Sequence, residues 1–552
     1  MGVKRPIVAI GMDAAAAPLV EKWVAQGHLP ALARLRAESA RARLEGGEVC
    51  RAEVPWTCFL TGCEPEQTGH WNLLRFSPRD YAVDDVGAYD FARFPPFYAL
   101  GDDYRVAAFD LPHARPVDGV NGAQIIAWGA HSPLAPSESR PGGLLAEIER
   151  RFGRHPALLR DEATLWRPRE LDRLEKRLTV GIGRRAEICA HLMNREKWDL
   201  FLTVFGETHS AGHYLWHRSP QGHPLYREGG RDSLLLVYQA IDRAIGRLRA
   251  CSAPDAYFAV FAAHGMESNS MDLPGMAFLS EALYRMNFPG RRGIGGQVDR
   301  AGALTVAASP RAWVPTVWST EADLGRVRRA LRVHLPSRLA YRLDRLWPQA
   351  PEASPSSPIE AGKLGYQPAM WYRKLWPRMK AFALPTFSEG YVRINVKGRE
   401  ARGIVEPGDY ERACDEVATE IRGLIDARSG RPIADEVRRT RRSPMDSSAS
   451  LPDADLIARW RPFPTDIVDS PTLGRIGPLP YYRSGGHTEE GFLWISGPDI
   501  EAGARLPDGR PTSLAPTFLA LLGAGIPDYM QQPPLLRETG VADARHPRTL
   551  TR

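Results

Sequence analysis

Apolar residues along this chain gather in short unbroken runs, at 7–12, 105–109, 200–205 and 257–262. Strands covered on both faces read this way, because neither face meets water and strict alternation is lost. Between the runs lie segments of helical spacing: 18–24, with Gly27 as a stop; 30–39, with Leu32 and Leu35 on one face; then 144–151, 186–194 and 233–249. Pro55 suits the first turn of a further helix. Strand and helix alternating in this manner predict an α/β fold, with a mostly parallel central sheet and helices on both faces.

The pattern changes at 288. A Gly/Arg-rich stretch, a helical segment over 322–346 and the Pro/Ser-rich 348–358 interrupt the alternation, which resumes with a helix at 410–427, a strand at 492–495 and a short apolar helix at 515–522. The predicted organisation is therefore a core in two parts, 1–287 and 381–552, separated by an insertion or cap at 288–380. No internal repeat is evident.

Composition narrows the class. With 552 residues, 43% hydrophobic and 25% charged, the chain is globular and not a disordered, collagenous or coiled-coil protein. Lys+Arg 72 against Asp+Glu 65 leaves +7, too diffuse for a dedicated nucleic-acid binder and compatible with a small anionic substrate. The 6 cysteines are scattered and form no CxxC pair, which suits a reducing compartment. Asp13 ends the first apolar run too early for a signal peptide, and no run reaches the roughly 18 residues of a membrane span. A cytoplasmic protein without a membrane partner is expected.

Residues of metal-ligand type follow three of the predicted strands: Asp13, then His209 and His213, then His264. Ligands of open α/β sheets collect beyond the carboxyl ends of the strands, so these positions converge if the sheet forms. Each alone has an ordinary reading, a turn Asp or a hydrogen-bonded structural His. His209 and His213, at i and i+4, share a face if helical and can then grip one cation. His487 follows Gly485-Gly486, whose freedom of backbone conformation would present it on a loop; an exposed loop His is its ordinary reading. Thr57 sits in the first turn of the Pro55 helix, where unpaired N–H groups suit an oxyanion. The ordinary reading there is a first-turn helix residue.

Taken in order, Gly11-Met12-Asp13, Leu29-Pro30-Ala31-Leu32, Pro55-Trp56-Thr57-Cys58-Phe59-Leu60-Thr61-Gly62 with Glu64-Pro65-Glu66-Gln67-Thr68-Gly69, His264-Gly265-Met266, residues 390–400, and Gly486-His487 resemble the type I phosphodiesterase/nucleotide pyrophosphatase branch of the alkaline phosphatase superfamily. The resemblance implies an alkaline phosphatase-like core, two neighbouring metal ions, usually zinc, and a Thr or Ser nucleophile at a helix N-terminus. Carried over by position, Asp13 and His264 match ligands of the metal that activates the nucleophile, and His213 and His487 match ligands of the other. His209 stands where the family has an Asp, making a three-imidazole site.

Two departures follow. Ala263 replaces an Asp of the nucleophile-side metal, so one or two zinc ions are expected, with manganese as a substitute and Glu53, Glu207 or Glu267 as compensating carboxylates. Glu53 or, on a second alignment, Ala52 occupies the family's nucleophile position. That leaves Thr57 as the expected catalytic hydroxyl, ahead of Cys50, Cys58 and direct attack by a metal-activated water. The expected function is metal-dependent hydrolysis of phosphate esters, diesters or pyrophosphates before monoesters. The alternatives are a sulfatase, a phosphoryl transferase, or a degenerate member that binds an anion without turnover. His131, after Trp128-Gly129-Ala130, is left out of the candidate set. The charged stripe Arg393, Asn395, Lys397, Arg399, Glu400 reads as a solvated edge strand, and the basic run 438–442 as a solvated loop.

Overall fold

The computed structural model describes residues 5–47, 54–129, 136–160, 167–295, 312–320, 325–346 and 354–536. Its main sheet is 8-stranded, in the spatial order Ala40–Glu45, Glu490–Ser496, Tyr257–Ala262, Ile7–Met12, Leu200–Phe205, Gly101–Phe109, Val120–Ile126, Glu138–Arg140. Strands from Tyr257–Ala262 to Val120–Ile126 run parallel. The pairings at the two flanks are antiparallel. The fold is thus α/β with a mostly parallel central sheet.

Side-chain alternation divides the first strand between two cores. Val8, Ile10 and Met12 pack with Trp23, Leu174 and Ile241 on one face, while Ile7 and Ala9 pack with Phe59, Leu60 and Phe518 on the other. Each strand is therefore buried on both sides, the physical reason its sequence is an apolar run. The helix predicted at 186–194 is the end of a longer one, Pro168–Arg195. Its first half buries Leu171, Leu174, Leu178 and Ile182, spaced three and four apart against the sheet, and the surrounding charges and Gly181 conceal that stripe in the sequence.

A second sheet of four strands, Ala381–Leu384, Gly390–Ile394, Leu456–Trp460 and Ala434–Arg439, shares one hydrophobic core with Trp313, Trp318, Tyr341, Trp371 and Trp376 of the predicted insertion. The chain returns to the main sheet only at Glu490–Ser496, beside Tyr257–Ala262. The change of character read at 381 is therefore a passage from helices to strands within one subsidiary body.

The charged stripe is not a solvated edge. Gly390–Ile394 pairs on both sides, and the charges are buried because each has a partner: Arg393 Nε donates to Glu400 Oε1 at 2.7 Å, and Arg399 Nη1 and Nη2 each reach Asp455 at 2.7 Å. Only Lys397, on Glu406, is at the surface. In the basic run, Arg439 ends a strand and Arg441 is buried, its guanidinium donating to the carbonyls of Asp446, Pro452 and Ala454. Among the described residues, no helix is long and apolar enough to cross a membrane.

Candidate metal centre

The chain leaves Ile7–Met12 at Asp13 and turns at once, with Ala14 at φ 51°, a left-handed conformation that a side chain with a Cβ seldom adopts. The adjacent strand, Leu200–Phe205, runs directly into the helix Glu207–Leu215. Thr208 ties the two ends together, its Oγ1 donating to the carbonyls of Asp13 at 2.6 Å and Phe205 at 2.9 Å. His209 and His213 therefore project one above the other from a helix that starts at the carboxyl end of the sheet.

His487 arrives from the far end of the sequence. It lies on the strand Gly485–Thr488, paired antiparallel with Gly265–Ser268 and placed opposite Met266. This strand is buried and is not the exposed loop expected from the two glycines. Neither Gly485 nor Gly486 has a positive φ; what Gly485 provides is proximity, since a Cβ there would lie 2.1 Å from the Gly212 carbonyl oxygen. The absence of a side chain lets the strand lie against the backbone of the histidine helix.

The ligand atoms of His209, His213 and His487 lie within 4.8 Å of one another, all three rings buried. Two of the rings have a fixed proton. His213 Nδ1 sits 2.8 Å from the Gly485 carbonyl oxygen, which only accepts, and His209 Nδ1 sits 3.0 Å from Asp13 Oδ2. With Nδ1 donating, a neutral ring would turn a lone pair outward at Nε2, and the two Nε2 atoms are 2.7 Å apart. Lone pairs that close repel unless a cation or a shared proton lies between them. A neutral imidazole oriented by a carboxylate or carbonyl at its far nitrogen is the usual form of a zinc-bound histidine, so this donor set fits a divalent ion.

The other half of the cluster is built differently. Asp13 Oδ1 accepts the Trp56 indole N–H at 2.7 Å and stands 3.8 Å from His264 Nε2. Burial pushes the His264 imidazole down to about 4, against the opposing pull of Asp13, so the ring is neutral near pH 7. Neither of its nitrogens has a hydrogen-bond partner among the described residues. Its ring centroid is 5.0 Å from that of His487 and 6.4 Å from that of His209, so all five predicted ligand residues occupy one cluster. Ala263 beside it is fully buried and brings only a methyl group.

Of the compensating carboxylates, Glu207 is engaged elsewhere. Glu207 is buried against Arg185 and His155, 3.1 Å and 3.0 Å away, and Glu267 is on the strand opposite Gly486. Glu53, Cys50, Ala52 and His131 lie outside the described residues. Thr57 is buried in the helix Val54–Thr61, its Oγ1 without a hydrogen-bond partner among the described residues. Cys58 is packed with Val54 against Trp71, and burial pushes its thiol well above the ordinary range.

Two residues that the sequence reading passed over join the centre. Trp56 is the donor on Asp13, and Arg483 places Nη1 2.8 Å from His213 Nε2 while Asp272 grips the rest of its guanidinium. A charged residue four positions before His487 was the available signal for the second.

An open α/β sheet with a buried polar cluster beyond its carboxyl strand ends is the architecture of a ligand-binding site at the sheet edge. The chain belongs to the type I phosphodiesterase / nucleotide pyrophosphatase family, whose model matches residues 7–357. Phosphoric ester hydrolysis is the chemistry of that family. The matched range ends before His487, which the fold supplies. No curated protein matches the sequence.

Solved structures similar to it include phosphonoacetate hydrolase from Sinorhizobium meliloti 1021 in complex with phosphonoformate, at 13% identity and TM-score 0.46, covering 94% of this chain and 96% of that one. The same hydrolase with phosphonoacetate scores 0.45 at 13% identity and the same coverage. Murine ectonucleotide pyrophosphatase/phosphodiesterase 5, an inactive variant in complex with AMP, scores 0.44 at 10% identity, covering 95% of this chain and 96% of that one.

Proposed function

We propose that this protein hydrolyses phosphate diesters or pyrophosphate linkages with a divalent ion, zinc or manganese, held by His209, His213 and His487. The observation that carries the reading is the convergence of three buried imidazoles, two of them with the outer nitrogen tied to an acceptor so that the inner nitrogens point at one another. When bound, such an ion supplies Lewis acidity toward a phosphoryl oxygen and acidifies a coordinated water.

The chain's own residues do the rest. Asp13 orients His209 from outside the ligand set and fixes its tautomer, a role that its contacts with Trp56 and His209 favour over direct ligation. The start of the helix Val54–Thr61 would hold the anion, and the buried hydroxyl of Thr57 would be the nucleophile, with neutral His264 as the acceptor for its proton. With Ala263 in place of a carboxylate, the Asp13/His264 position holds no second ion at ordinary metal concentrations. A small anionic phosphoester is the partner, and the cytoplasm is the compartment.

The test is turnover of bis-p-nitrophenyl phosphate, p-nitrophenyl phosphate and p-nitrophenyl sulfate by protein loaded with zinc or manganese, with a chelator control. Chelator-sensitive preference for the diester is the expected result. Preference for the sulfate ester would make the protein a sulfatase. Turnover that appears only when an alcohol is added would make it a phosphoryl transferase. A second reading, an anion-binding member without turnover, is favoured specifically by Ala263; metal-loaded, folded protein inert toward all three esters with and without acceptor would establish it.

A further inference from the structure

Arg483 is 5% exposed, and its guanidinium is held on two of its three nitrogens: Nε donates to Asp272 Oδ2 at 2.9 Å and Nη2 to Asp272 Oδ1 at 2.8 Å. Asp272 is itself fixed by Asn269 Nδ2 at 2.7 Å, and that amide also donates to the Gly485 carbonyl at 3.1 Å. The bidentate clamp leaves the head group one orientation, with Nη1 directed into the histidine cluster, 2.8 Å from His213 Nε2.

His213 gives its one proton to Gly485, so Nε2 holds a single lone pair. That lone pair serves the Arg483 N–H or a metal ion, not both. A zinc ion at about 2.0–2.1 Å from Nε2 would strip Nη1 of its acceptor. It would also place a divalent cation a few ångströms from a buried guanidinium. A buried N–H without a partner and two adjacent buried cations are both unfavourable, and one species relieves both: an anion whose oxygens touch the ion and Nη1 together.

We propose that Arg483 is a substrate-binding residue, its Nη1 donating to a nonbridging oxygen of a phosphoester bound at the three-histidine centre. The inference rests on the metal reading above and deepens it: a phosphodiester has two nonbridging oxygens, one for the ion and one for Arg483. No ligand to the ion is drawn from Arg483, so its loss weakens anion binding and leaves the metal in place.

The experiment uses the full chain as wild type, Arg483→Met and Arg483→Lys, each checked for folding by its thermal transition. Zinc affinity is measured by competition with a chelating dye, and inorganic phosphate is titrated calorimetrically into the zinc-loaded proteins. The expected result is zinc affinity in Arg483→Met equal to or tighter than wild type, because His213 is released, with phosphate affinity reduced about ten- to a hundredfold. Arg483→Lys, which keeps a charge beside Asp272, falls between.

Phosphate affinity within twofold of wild type in folded, zinc-loaded Arg483→Met overturns the proposal while leaving the metal reading intact. Wild type that binds no zinc overturns the metal reading, and this inference with it. If neither variant folds, a crystal structure of wild type with zinc and phosphate decides: Nη1 on a phosphate oxygen supports the proposal, and Nη1 still on His213 contradicts it.

Discussion

Two halves of one buried cluster share Asp13 and have different chemistry. On one side, His209, His213 and His487 converge, with outer nitrogens held by Asp13 and the Gly485 carbonyl and lone pairs turned inward. On the other, His264 faces an Asp13 oxygen that already accepts the Trp56 indole, next to the methyl group of Ala263. The residue types alone do not separate them, since each half has imidazole and access to the same carboxylate. What separates them is the direction of the lone pairs. A carboxylate that accepts from Trp56 and His209 organises a neighbouring site, and its own coordination is weakened to the same extent.

The comparison is broken most completely by removing an imidazole. His487→Ala is expected to lower zinc affinity at least a hundredfold and to abolish chelator-sensitive turnover, measured by dye competition and diester hydrolysis. His264→Ala, on the other half, is expected to leave zinc affinity within a few fold of wild type. Equal losses from the two variants would mean that the halves act as one site.

Thr57→Val tests where attack originates. Removing a nucleophile that forms a covalent intermediate lowers kcat by about a hundredfold or more while zinc binding persists. Full turnover in this variant would take Thr57 out of the chemistry and leave the three-histidine centre standing.

Restoring the missing carboxylate sharpens the comparison from the other direction. Ala263→Asp buries a charge beside Asp13, and without metal the variant is expected to lose roughly 1–3 kcal/mol of stability or more. Added zinc is expected to recover that loss and raise the bound metal from one equivalent to two, read from melting curves and elemental analysis. A variant that zinc does not rescue would show that Trp56 and His264 cannot yield a second site.

Smaller still is the effect of the shared carboxylate. Asp13→Asn keeps the shape and removes the charge that orients His209, an outer contact of the kind that carries about ten- to a hundredfold in metal affinity. Loss of metal as complete as in His487→Ala would instead make Asp13 a direct ligand.

Much of this arrangement was legible in the sequence, and the reason is burial. Strands covered on both faces must be apolar throughout, so 7–12, 200–205 and 257–262 stood out, and the polar residues at their ends had to lie at one edge of the sheet. The i, i+4 pair of His209 and His213 needed only a helix.

What stayed hidden depended on partners distant in sequence. Arg399 read as solvated because Asp455, which neutralises it, lies 56 residues later, just before the strand Leu456–Trp460. Arg483 was passed over because Asp272, which fixes its guanidinium, lies 211 residues earlier. Trp56 was part of a quoted motif, yet its indole N–H has meaning only once the strand carrying Asp13 is brought to it. The glycines before His487 were read for backbone freedom, whereas the constraint is the carbonyl of Gly212 on a different element.

The most direct test of the central claim is metal stoichiometry. Wild type, His213→Ala and His264→Ala would be dialysed against buffered free zinc and their bound metal measured by elemental analysis. The account predicts one equivalent in wild type, one in His264→Ala and none in His213→Ala. Two equivalents in wild type, or metal retained by His213→Ala and lost by His264→Ala, would contradict it.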